Sequence, residues 1–154
     1  MKKLARFMVL LSVLGLSVAA VAQAEVVQNV QVPFVASFFI PCTNDTVDFS
    51  GDLHIVISFT INGNEVSGKT QYQPQGIKGI GRATGTRYNA VGVTQDMLHG
   101  SLQNGQFNET LVNNFRLIGQ GPGNNLLVHQ NLHVTINANG DVTATVDNTR
   151  VDCK

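Results

Sequence analysis

Every odd position from Leu53 to Ile61 is large and apolar, while Asp52, His54, Ser58 and Thr60 between them are polar. A period of two is the pattern of a strand with one face buried and the other wet, and it leaves the chain few alternatives to a sheet. Asn62-Gly63 follows, and its tolerance of positive φ predicts a two-residue type I′ turn into an antiparallel partner over residues 64–72. Asn104-Gly105 and Asn139-Gly140 repeat the design between apolar runs on either side. Repeated hairpins of this kind predict a meander.

Residues 1–24 read as a secretory leader. Lys2, Lys3 and Arg6 form a positive start, 7–21 is an apolar run, and Ala22-Gln23-Ala24 is a small-x-small cleavage site of bacterial type. The run is too short and wrongly flanked for a membrane span, and no Cys follows it to carry a lipid anchor. The expected division is a cleaved signal peptide over 1–24 and a single β-barrel domain over 25–154, periplasmic or extracellular. Cleavage leaves seven Lys and Arg against ten Asp and Glu, a net charge of −3. Without a basic run such a domain lacks the electrostatic footprint of a phosphate binder, so neither nucleic acid nor anionic membrane is an expected partner.

Cys42 and Cys153 are the only cysteines. In an oxidising compartment an even pair predicts a disulfide, and nothing beside either residue would activate a catalytic thiol. The bond would set the last strand beside the exit of the first. In that first strand Val30, Val32, Phe34, Ala36, Phe38 and Ile40 share one face, and Pro33 on the other lacks a ladder donor. Further strands are expected over 77–83, 86–94, 97–103, 106–118, 126–137 and 141–151, with a corner at Gln73-Pro74-Gln75-Gly76. The glycines at 76, 79, 81 and 85 do not match a dinucleotide fingerprint, because Thr84 stands where the third glycine belongs and no helix follows. They read instead as relief of crowding where a bent strand turns a barrel corner.

About eight strands joined by short connections predict an all-β antiparallel up-and-down barrel closed by one disulfide, with a two-sheet sandwich as the alternative. In layout the region 26–153 resembles the lipocalin, avidin and allene-oxide-cyclase or dirigent barrels. Its texture also resembles small secreted bacterial proteins of uncharacterised function. The lipocalin Gly-x-Trp and the biotin-stacking Trp of avidins have no counterpart, since the chain has no Trp. The resemblance therefore implies a barrel and transfers no site residue.

The chemistry expected is binding rather than catalysis. His129 and His133 share a strand face about 13 Å apart, too far to ligate one zinc at about 2 Å, so the four histidines are expected to face solvent and no metal site is assigned. There is no Gly-x-Ser-x-Gly, no flanking pair of carboxylates and no cofactor motif, so no catalytic residue is assigned. Glu109 is the least ordinary residue, sharing odd parity with Phe107, Leu111, Phe115 and Leu117. Either it anchors a ligand inside an apolar cavity, paired with Arg116, Arg87 or Arg82, or a bulge at Asn113-Asn114 turns it outward. The ligand-binding candidates are Glu109, Arg116, Tyr88 and Tyr72. The leading expectation is a barrel whose interior, built from Ile55, Ile57, Phe59, Val66, Leu132, Val134 and Ile136, holds a small hydrophobic molecule. The alternatives are a structural or protein-interaction domain with a filled core, and more remotely a barrel isomerase or cyclase.

Overall fold

A computed structural model describes residues 25–154, and the leader expected over 1–24 lies outside the described residues. The described chain forms β1 (Glu25–Ile40), β2 (Asp45–Asn62), β3 (Glu65–Gly81), β4 (Arg87–Ser101), β5 (Gln106–Gly119), β6 (Leu126–Ile136) and β7 (Val142–Cys153). They make one antiparallel sheet in sequential order from β1 to β7. The all-β meander expected from the hairpin signals is present. Among the described residues no helix is long and apolar enough to cross a membrane.

Turn chemistry differs from expectation in detail. Asn62 pairs with Glu65, so the two-residue loop is Gly63-Asn64. Only Gly63 has positive φ there, at +59°, which makes the turn type II′ rather than I′. Between β4 and β5 the loop spans four residues and closes with Gly105 N–H donating to the Ser101 carbonyl. Between β6 and β7 the Asn137 side-chain oxygen accepts from the Asn139 and Asp141 amides, an Asx-type turn.

The strands are fewer and longer than the about eight expected. Residues 65–81 run on as one strand because the Pro74–Gly76 corner is a bulge: the β2 register slips between Ser50 and Asp52, and Gly76 takes φ +65°. Residues 86–94 and 97–103 likewise fuse into β4, bent at Gly92. Seven strands in an antiparallel meander leave β1 and β7 running parallel, so they are not the antiparallel neighbours that would complete an even-numbered up-and-down barrel. Neither pairs with the other. The sheet is open, tied at one end by the Cys42–Cys153 disulfide, whose Cα atoms are 5.4 Å apart. Because there is one sheet, the sandwich expectation is not met either.

Register sorts the two faces. One, concave, carries the even residues of β1 from Val30 to Ile40, the odd residues of β2 from Val47 and the even residues of β4 from Tyr88. Its packed core lies at the disulfide end, where Ile40, Val47, Phe49, Ile77, Tyr88, Ala90, Leu117 and Leu126 are buried. Of the interior residues expected from alternation, only Val66 is buried, and the others lie at half-exposed or open positions toward the far end.

Large rings fit on this tightly coiled face because glycines face them across the strands. Phe34 is registered with Gly51, Phe49 with Gly79, Phe59 with Gly68, Tyr88 with Gly119, Phe107 with Gly100 and Phe115 with Gly92. A methyl at Gly79 would strike the Phe49 ring, and one at Gly100 the Phe107 ring. Of the four glycines expected to relieve crowding, Gly79 does so for a ring, Gly81 leaves space for Asp45 and Thr84, and Gly76 and Gly85 instead supply positive φ in open space.

Among the described residues Asp45 is the one buried charge, 3% exposed, at the mouth of the β3–β4 turn. Its carboxylate accepts from the Thr84 hydroxyl at 2.7 Å and from the Ala83 and Thr84 amides at 3.0 Å. These bonds, the Thr84 hydroxyl first, hold its pKa below 3.8. On the outer face the Arg82 guanidinium, then the Ser37 hydroxyl, bring Asp48 down to about 2. Lowered folded-state values mean stability that is present above the unfolded pKa and lost as pH falls through the folded one. Thermal midpoints are thus expected to be flat between about pH 7 and 5 and to fall between about pH 4 and 2. Asp45→Ala should lower the midpoint at neutral pH by about 5–10 °C and flatten the acid limb, whereas exposed Asp48→Asn should move it far less. A wild-type midpoint independent of pH down to 2 would contradict this assignment.

Candidate functional site: the concave cleft

Coiling brings strands distant in the sheet face to face. Phe34, Phe38 and Ile40 of β1 line a cleft of about 360 Å³ together with Phe115 and Leu117 of β5 and Leu126 and Val128 of β6. Beneath it a smaller hollow of about 90 Å³ is walled by Phe34, Phe38, Phe49, Leu53, Tyr72 and Ile77. Thr94 and Asn113 add the polar groups, and the Thr94 hydroxyl donates to the Asn113 side-chain oxygen at 2.9 Å. The rings form a chain from cleft to core: Phe34 to Phe38 at 6.5 Å between centroids, Phe38 to Phe49 at 5.9 Å, Phe49 to Tyr88 at 6.5 Å. Phe38 is 47% exposed although it shares the core-facing parity of β1. An apolar ring left half uncovered on the inner face marks a surface for something apolar to cover.

Of the four candidate ligand residues, the structure keeps two on the concave hollows and separates the others. Tyr72 lines the smaller hollow. Tyr88 is 1% exposed in the packed core, with its hydroxyl 3.0 Å from the Thr43 hydroxyl, so it is a core residue and not a cleft wall. Glu109 stays on the concave face, because β5 keeps its register with β4 and β6 straight through Asn113-Asn114. The expected bulge is absent for a physical reason: Asn113 faces inward to Thr94, and Asn114 faces outward to the His129 Nδ1 at 2.8 Å. Each consecutive asparagine has a partner on its own face.

The arginine pairing expected for Glu109 is not formed. Arg116 lies on the outer face, bordering a groove of about 310 Å³ with Val91, Val93 and Val112. Arg87 is also outward and exposed, and Arg82 is bound to Asp48 at 2.8 Å. The histidines are all on the outer face, hydrogen-bonded to neighbours: His54 to Asn29 at 2.7 Å, His99 to Ser67 at 2.9 Å, His133 to Thr110 at 2.8 Å. They are spread over three pairs of strands and do not converge.

Asp96 had no place among the sequence candidates. Reading 86–94 and 97–103 as separate strands hid the run Tyr88, Ala90, Gly92, Thr94, Asp96, Leu98, which occupies one face of β4. Comparison with protein-family models, with curated proteins and with solved structures finds no match to this chain.

Proposed function

We propose that this is a secreted, non-catalytic binding protein that holds a small apolar molecule in the cleft between β1 and the β5–β6 pair. One observation carries the reading: an apolar cleft of about 360 Å³ stands open on the inner face with Phe38 half exposed in its wall. That volume is within the range of small-molecule sites, and apolar walls with a few polar groups are their usual make-up. In this reading the sheet acts as a barrel left open along one seam, through which the ligand enters between β1 and β7. A periplasmic or extracellular location accords with the Cys42–Cys153 bond.

The test is fluorescence titration with N-phenyl-1-naphthylamine, a neutral apolar probe. Saturable binding at one site per chain is expected. Phe38→Asp should weaken it about tenfold by placing a charge in the cleft wall. Val35→Asp, on the opposite face of the same strand and 83% exposed, should leave it unchanged. Non-saturable uptake, or equal loss in both variants, would overturn the reading.

A second reading, an interaction domain, draws on the two unpaired edges. β7 is exposed along nearly its whole length and β1 shows Val35 and Phe39 at 83% and 60%. Such edges are templates for strand addition. Light scattering of the purified protein separates the readings, since edge pairing would give concentration-dependent oligomers.

A further inference from the structure

Farther along the concave face, away from the disulfide, lies a second hollow of about 290 Å³. Its walls are Ile57 and Phe59 of β2, Gly68 and Thr70 of β3, Asp96 and Leu98 of β4, and Glu109 of β5. Leu98 is registered with Glu109 and Asp96 with Leu111, so Asp96 and Glu109 are diagonal neighbours on one face, their backbones about 7 Å apart. Asp96 Oδ1 is shut off from solvent and takes no hydrogen bond from any described residue. Buried polar atoms are nearly always partnered, and an orphaned carboxylate oxygen is costly enough to need a reason.

The cations keep to the outer face, whereas carboxylates occur on both. Lys69, Lys78, Arg82, Arg87, Arg116 and Arg150 all fall at outward register positions, although Lys69 borders the hollow between Gly68 and Thr70. Among the described residues the ion pairs are Arg82–Asp48 and Arg150–Asp152, so neither Asp96 nor Glu109 has a cationic partner among them. The hollow is thus a largely apolar pit with two carboxylates that form no ion pair. It adjoins the cleft: Thr94, which lines the cleft, is the next inward residue of β4 before Asp96, and Asn113 and Leu111 bridge the same step on β5.

We infer that the ligand is an amphiphilic cation, with an ammonium group donating to Asp96 and Glu109 and an apolar chain running into the cleft toward Phe115. This rests on the proposed apolar site and specifies its ligand class. Leu111, level with Asp96, is four residues from Phe115, so head and tail sites are about 13 Å apart, a span that an extended dodecyl chain matches. Low-dielectric walls strengthen a charge-assisted hydrogen bond there, and the same walls reject an anionic head.

The test is calorimetric titration of the disulfide-bonded protein with dodecylammonium, dodecanol and dodecanoate. Dodecylammonium is expected to bind at least about tenfold tighter than dodecanol, and dodecanoate weakest. Asp96→Asn and Glu109→Gln should each remove most of the gap between dodecylammonium and dodecanol while leaving dodecanol binding within about twofold. Glu109 is exposed, so its variant keeps the test valid should Asp96→Asn fail to fold. If dodecanol binds in the cleft and dodecylammonium binds no better, or if the gap survives both substitutions, the cation inference falls and the apolar reading stands. If none of the three binds, both fall.

Discussion

Replacing Cys42 and Cys153 together by alanine is expected to destabilise the protein by about 4 to 5 kcal/mol. The bond closes a loop of sequence separation 111, so its removal releases a denatured ensemble that native contacts must again confine. The folded side of the balance points the same way. β7 sits at a sheet edge with nearly every residue exposed, and no ladder joins it to β1. Beyond Cys153 the Asn125 and Lys154 backbones exchange two hydrogen bonds, at 2.8 and 2.9 Å, which hold the terminus beside the bond. Since a domain of this size has only about 5–15 kcal/mol in total, the double mutant should be marginal. Urea denaturation of oxidised wild type against the mutant measures this, with amide exchange in β6 and β7 expected to accelerate most. A loss below about 1 kcal/mol would mean that packing alone holds the seam.

Gly92→Ala is expected to cost about 3 kcal/mol or more. Gly92 has φ +113°, a conformation L residues avoid, and a methyl there would strike the Asn114 carbonyl oxygen on β5 and crowd the Phe115 Cα. Backbone cannot swing aside as a side-chain tip can, so β4 and β5 would have to separate where they form the floor of the cleft. Gly63→Ala is the graded comparison: it too has positive φ, at +59°, but nothing within 4 Å of an added methyl, so only the conformational cost of about 1 kcal/mol applies. Chemical denaturation of both variants checks the order. Equal losses would show that conformation, not strand contact, sets the Gly92 requirement.

Much of the sheet was legible because alternation is a local signal. Residues 52–61 and 30–40 display their buried face by parity alone, and the glycines after Asn62, Asn104 and Asn139 take the positive φ that such turns need. Strand count was not legible. Pro74–Gly76 and Gly92 look like breaks when read along the chain, and only cross-strand pairing reveals them as bends within β3 and β4. Counting two long strands as four shorter ones set the expected total and, with it, the expected barrel closure.

Site residues follow the same division. Glu109 on an apolar face could be read from parity, and the doubt cast by Asn113-Asn114 dissolves only when their partners on two other strands are known. Tyr88 is a polar-tipped ring that sequence could assign to a ligand as readily as to a core; the Thr43 hydroxyl decides for the core. Asp96 needed the continuity of β4. The pairing of rings with glycines, such as Phe34 with Gly51 or Phe115 with Gly92, joins residues far apart in sequence and has no one-dimensional signature.

The most direct test of the binding account is a titration of isotope-labelled protein with N-phenyl-1-naphthylamine, followed through methyl and aromatic resonances. The expected result is saturable shifts centred on Phe34, Phe38, Phe115, Leu126 and Val128, with the outer groove at Val91, Val112 and Arg116 unmoved. Shifts centred on that outer groove, or none that saturate, would contradict a ligand held on the concave face.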